Sequence, residues 1–258
     1  MKYITTLLLT LFTFIVLVFG QTSWNNQIEE TVAMNSEKKQ TEEKKEMNTE
    51  KSTGSLYKNV KNQELKSALE KGISKHEKAN VLIAGSKALG DQDNGLGKTI
   101  SWELQEEFEE GIAVSHIEFN GTSTELIKEG LISDYQDANP DVLILEAFTL
   151  ADNGVVEVEE NHENITTIIQ ELKSINEDLF VILMPPHPIP NAIIYPTQVD
   201  ALKEYAAENN ITYINHWTEW PDYKNEAELM EYLKEDKSAP NEQGIQIWSN
   251  EVYELFGI

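Results

Sequence analysis

The sequence predicts an α/β fold, a five-stranded parallel sheet in the order 2-1-3-4-5 with helices on both faces. Three observations predict it. Five short apolar runs succeed one another between residues 81 and 215 of the 258-residue chain. Segments with helical spacing separate them, long enough to serve as right-handed crossovers. Apolar strands that alternate with helices also argue for a sheet covered on both faces.

The elements follow in order. Leu56, Val60, Leu65, Leu69 and Ile73 recur at helical spacing, which predicts an amphipathic helix over 56–78. Val81-Leu82-Ile83-Ala84, closed by Gly85, is the first strand. A helix over 98–110 leads to strand 113–119 (AVSHIEF), and a helix or turn region over 122–138 leads to strand 142–146 (VLILE). Helix 160–176, strand 179–184 (LFVILM), helix 196–209 and strand 211–215 (ITYIN) continue the alternation. Helices near 225–234 and 241–256 close the chain. The arrangement is a three-layer, flavodoxin-like sandwich, in which sites form at the carboxyl ends of the strands.

Three segments are expected: 1–20, 21–55 and 56–258. Ile4 to Phe19 is apolar without a charge, with Lys2 before it, and Val18-Phe19-Gly20 resembles a cleavage site. Residues 1–20 therefore read as a signal peptide or an N-terminal membrane anchor. Either makes the remainder extracytoplasmic, at a bacterial cell surface or secreted. Residues 21–55 are rich in Glu, Lys, Thr, Ser and Asn and carry too few apolar side chains for a core, so they read as a polar tether.

Composition excludes several functions. The chain has no cysteine, so disulfide frameworks, thiolate metal sites and cysteine nucleophiles are out. All 20 basic residues are lysine, so bidentate arginine clamps are out too. The net charge is -25. Residues 1–80 hold 12 lysines and 10 acids, whereas residues 81–258 hold 8 lysines and 35 acids. Such an acidic body repels phosphates, which argues against nucleic acid as a partner. No His-x-x-x-His or close His/carboxylate spacing suggests a metal, and Gly95-x-Gly97-Lys98 lacks the spacing of a phosphate-binding loop. No cofactor is expected.

Chemistry-bearing residues collect after the strands. Gly85-Ser86-Lys87 follows the first, Asn120-Gly121-Thr122 the second, and Glu146 to Gly154 the third. Asp236-Lys237-Ser238-Ala239-Pro240-Asn241 opens the last helix. In order and spacing these blocks resemble the SGNH (GDSL-type) hydrolase superfamily over about residues 81–258. Pro240-Asn241-Glu242-Gln243-Gly244 with the Ile-Gln-Ile-Trp after it is the most specific block.

The resemblance implies a serine nucleophile, an Asp-x-x-His pair and an oxyanion hole of backbone N–H groups, a glycine and an asparagine. Residue by residue, the aspartate falls on Asp236 and the glycine on Gly121. The histidine falls on Ala239, the serine on Lys87 and the asparagine on Ala151. A one-residue shift makes Ser86 the nucleophile; otherwise Ser86 caps a turn. Asn153 either replaces the missing asparagine or belongs to a turn with Asp152 and Gly154. A surviving base would be His187 or His216, the two histidines that follow strands. Trp217 and Trp220 either stack on a sugar or pack in the core. Two functions are consistent with these residues. One is an exported esterase-type protein directed at acylated cell-surface carbohydrate or another small ester, with a degenerate triad. The alternative is a non-catalytic protein that binds glycans or a partner on the same fold.

Overall fold

Asn62 sets where the first helix begins. In the computed structural model, which describes residues 56–91 and 93–258, its side-chain oxygen accepts from the N–H groups of Glu64 and Leu65 at 3.0 Å each. Helix α1 therefore spans Gln63–His76, shorter than the periodicity implies. Leu56 and Val60 still pack on the core, and Tyr57 is buried with its hydroxyl donating to the Gly111 carbonyl at 2.6 Å. The apolar and polar N-terminal segments, residues 1–55, lie outside the described residues.

Strand β1 (Ala79–Ser86) and helix α2 (Leu96–Phe108) follow. Next come β2 (Ile112–Phe119) and two short helices, α3 (Ser123–Lys128) and α4 (Ile132–Asp137). The region 122–138 divides at Gly130, whose φ of +73° is left-handed backbone that favours glycine. Strand β3 (Val142–Glu146), helix α5 (Thr149–Asp152) and helix α6 (Val158–Ile175) come next. Strand β4 (Phe180–Met184) and helix α7 (Tyr195–Glu208) precede β5, which covers only Thr212–Tyr213. β5 is short because the chain soon winds into a 3-10 turn at His216–Glu219. Helices α8 (Glu226–Leu229) and α9 (Glu242–Phe256) end the chain.

The sheet order is β2-β1-β3-β4-β5, with every pairing parallel. Successive residues of the inner strands point to opposite faces. Val81, Ile83, Val142, Ile144, Ile182 and Met184 meet α1, α2 and α9 through Leu69, Ile100, Trp248 and Phe256. Leu82, Ala84, Leu143, Leu145, Val181 and Leu183 meet α6 and α7 through Ile165, Ile168, Leu172 and Leu202. Each such buried Val, Leu, Ile, Met or Phe side chain contributes roughly 1.5–3 kcal/mol. Helices thus cover both faces, and parallel pairing brings the strand ends together: Ser86 is level with Phe119, and Glu146 with Met184.

Candidate active site

A cleft of about 470 Å³ opens at this carboxyl edge. The end of β1 contributes Ser86, Lys87 and Ala88, and the loop after β2 contributes Asn120, Gly121 and Thr122. Leu150 and Ala151 of α5 form one wall. Ile189 and Pro190 after β4, with Lys237 and Ser238 before α9, form the other.

A buried carboxylate lies behind Ser86, which borders the cleft. Glu146, the last residue of β3, is fully buried. Its Oε2 accepts from the Ser86 N–H at 2.5 Å and its Oε1 from the Phe148 N–H at 2.9 Å. Phe148 is held at φ +61°, rare for a bulky side chain. Burial pushes the carboxyl up to about 7, while the Ser86 hydroxyl, the Ser86 N–H and the Phe148 N–H pull the other way. Gly85 is the residue that allows this approach, since a Cβ there would sit 2.5 Å from that of Glu146.

Ser86 is 2% exposed, and its Oγ accepts from the Ala88 N–H at 3.2 Å. It therefore both borders the cleft and caps the 3-10 turn Lys87–Leu89. Lys87 is exposed on the cleft wall, and its charge reaches Asp236 and Glu118 through space. Lys237 faces the cleft from the far side, bonded to Glu226 at 2.8 Å.

The loops after β2 and β3 are tied together by Asp152. Its Oδ1 accepts from the Ser123 N–H at 2.8 Å, and its Oδ2 from the Ser123 hydroxyl at 2.5 Å and the Asn161 amide at 2.7 Å. Burial raises this carboxyl despite those bonds. The tie places Gly121 at the cleft. Asn153 instead ends α5 in a turn with Gly154 at φ +77°, away from the residues that line the cleft.

Asp236 is exposed and turned to its own loop, accepting from the Ser238 N–H at 3.0 Å and hydroxyl at 2.6 Å. Those bonds hold it below the usual carboxylate range, helped by the charges of Lys234 and Lys87. Ala239 is buried. Its carbonyl accepts from the Lys234 N–H at 2.9 Å beside the Leu233–Pro240 bridge.

The structure places the two strand-end histidines in the interior, outside the cleft lining. The Nε2 of His216 donates to the Pro185 carbonyl at 2.8 Å, so its Nδ1 carries the lone pair that accepts from Trp220 Nε1 at 2.9 Å. Both ring nitrogens are engaged, and the ring stacks on Trp248 at 4.3 Å. Burial lowers this histidine to about 3. His187 donates from Nε2 to the Lys237 carbonyl at 3.2 Å, and its buried Nδ1 has no partner. Burial lowers it to about 4. Trp220 is buried over His216, and Trp217 donates to the Pro186 carbonyl at 2.7 Å with its ring against Tyr195. Neither indole lines the cleft. Among the described residues no three His, Asp or Glu side chains gather as a metal site.

No family model matches the sequence, and no curated protein is significantly similar to it. Solved structures do match. A catalytic mutant of an acetylxylan esterase from Geobacillus stearothermophilus superposes with a TM-score of 0.55 at 16% identity, over 70% of this chain and 95% of its own. A lipase/acylhydrolase from Enterococcus faecalis gives 0.52 at 19% identity, over 69% and 95%. A protein assigned to the G-D-S-L lipolytic family, from Desulfitobacterium hafniense, gives 0.56 at 17% identity, over 68% and 99%. The chain has the SGNH hydrolase fold.

On this SGNH scaffold the loops after β1, β2 and β3 border the cleft, whereas the most specific block of the sequence resemblance, Pro240 to Gly244, lies outside its lining. The sequence reading placed Glu146 at the end of the third strand but gave it no role, because VLILE presents it as the polar end of a strand. The signal was a lone acid closing an otherwise apolar run destined for burial on both faces.

Proposed function

We propose that this is an exported SGNH-type, esterase-like protein whose cleft takes an acylated carbohydrate and whose catalytic triad is degenerate. The observation that carries the reading is Ala239, buried where the resemblance puts the histidine. A methyl group neither accepts nor donates a proton. Asp236, deprived of an imidazole, is occupied by Ser238. The same resemblance puts Lys87 in the place of the serine and Ala151 in that of the asparagine. The fold and the cleft, with an acetylxylan esterase among the structural neighbours, support an acylated polysaccharide as ligand. The apolar N-terminal run supports export and attachment to, or secretion across, a membrane.

Calorimetric titration of the full chain with O-acetylated and deacetylated xylo-oligosaccharides tests the ligand class. Tighter binding of the acetylated form is expected; equal binding, or none, contradicts it. A purely binding role is the second reading, and exposed Lys87 at the cleft favours it. Acetyl-dependent binding with no acetate release over long incubation would select that reading.

A further inference from the structure

We propose that the cleft takes an anionic carbohydrate, one whose acylated sugars also carry a singly charged acidic group, and that Lys87 and Lys237 bind that group. The proposal rests on the reading of the cleft as a site for acylated carbohydrate, and it names a narrower class of ligand for it.

The distribution of positive charge points to this. Residues 81–258 hold 8 lysines against 35 acids. Lys87 and Lys237 line the cleft, one from the end of β1 and the other from the loop before α9. Lys234 is a third cation at the same edge, because its charge acts on Glu118 and Asp236, the two carboxylates that Lys87 also acts on. The remaining lysines are scattered over α2, α3, α6, α7 and the loop before α8.

The partners of each charge decide what the cleft offers. Lys234 is paired with Asp91 at 3.7 Å, and Lys237 with Glu226 at 2.8 Å. Neither acid lines the cleft. Lys87 is exposed, and among the described residues its ammonium has no ion pair or hydrogen bond; Glu118 and Asp236 reach it only through space. Glu125 is the acid in the lining, and its Oε2 already accepts from the Thr122 N–H at 2.9 Å and hydroxyl at 3.2 Å. Two lysines against one glutamate leave the lining with a single excess positive charge. That complements a monoanion, such as a uronate carboxylate or a sulfate ester.

The acidity of the rest of the domain does not cancel this charge. The Debye length is about 8 Å at physiological ionic strength, so exposed acids beyond that distance are largely screened. A cleft also concentrates the field of the charges that line it. A lysine ammonium is a compact charge with three donors and needs no bidentate geometry. Asn120, Thr122 and Ser238 place neutral polar groups along the same lining, where sugar hydroxyls can meet them. An uncharged sugar gains nothing from the Lys87 charge.

The test is calorimetric titration of the full chain at physiological ionic strength. The probes are O-acetylated oligogalacturonates, the same oligomers with their carboxylates methyl-esterified, and O-acetylated sulfated galactan oligosaccharides. The free acid is expected to bind ~5-fold or more tightly than its methyl ester. Lys87→Gln, which removes the charge from an exposed position, should erase most of that difference, and Lys87→Arg should keep it. Tighter binding of the uronate assigns the charge to a carboxylate, and tighter binding of the sulfated oligomer assigns it to a sulfate ester; either order upholds the proposal. Equal binding of acid and methyl ester with no gain from sulfate overturns it, as does a preference that survives Lys87→Gln. Acetyl-dependent binding that ignores charge rejects the proposal and leaves the reading of the cleft intact. Charge-dependent binding that ignores the acetyl groups rejects that reading and keeps the anionic preference. No binding of any probe rejects both.

Discussion

At the scale of single residues, Glu146 joins the end of β1 to the turn after β3, and it does so through contacts that tolerate little. Gly85→Ala places a methyl group against the Glu146 side chain and its backbone carbonyl. Denaturant unfolding should show a loss of about 1–3 kcal/mol, the usual cost of overpacking. The pH dependence of stability has two opposing parts. Glu146 has a raised pKa in the folded state, so the native protein holds its proton more tightly than the unfolded chain does. Its contribution is greatest below about 4.5 and is lost as pH rises through about 7. His187 and His216 are lowered to about 4 and 3, so the stability they confer is present above 6.5 and is lost as pH falls below it. Two histidines oppose one carboxylate. Unfolding free energy should therefore decline from pH 6.5 to pH 4.5, and Glu146→Gln should steepen that decline. The sequence could place both histidines after strands. It could not show that their rings point inward, because that direction is fixed by Trp220, Trp248 and the carbonyls of Pro185 and Lys237. Trp217 and Trp220 were ambiguous for the same reason.

At the scale of elements, the strands were the most legible feature. VLILE reads directly as β3, because a run buried on both faces leaves little alternative. Helix starts depended on single side chains: Asn62 delays α1, and Asn241 caps α9 with bonds to the Gln243 and Gly244 N–H groups. The weakest expectation was the last strand, where five residues of suitable type yield only two that pair. The 3-10 turn at His216–Glu219 explains this, since it draws the chain out of the sheet soon after the two paired residues. What the sequence conceals is how the loops are joined. Asp152 reads as a turn former, yet it ties α3, α5 and α6 through three donors. Asp152→Ala leaves those donors buried and should cost about 3 kcal/mol. A fall in thermal midpoint together with loss of sugar binding would confirm that this tie also shapes the cleft. Unchanged stability would assign the loop's position to its packing alone.

At the scale of the whole molecule, an acidic SGNH fold follows an apolar segment and a lysine- and glutamate-rich stretch. If residues 1–55 are an exported anchor and tether, mild proteolysis of intact cells should release the acidic domain into the medium. Protection of the domain until the cells are broken would contradict export. The fold was legible because strand and crossover patterns extend over the entire domain. Function was less so, because it depends on a few positions at the strand ends. On the proposed reading the scaffold persists while the base is gone. The most direct test is hydrolysis of p-nitrophenyl acetate by the unaltered protein and by the double variant Lys87→Ser with Ala239→His. A triad without its base keeps only the ~10³–10⁴-fold advantage over water that binding and oxyanion donors give. The unaltered protein should therefore be slow, and the double variant faster by ~10²-fold or more. An unaltered protein that is already fast, or a folded double variant with no gain, would contradict the account.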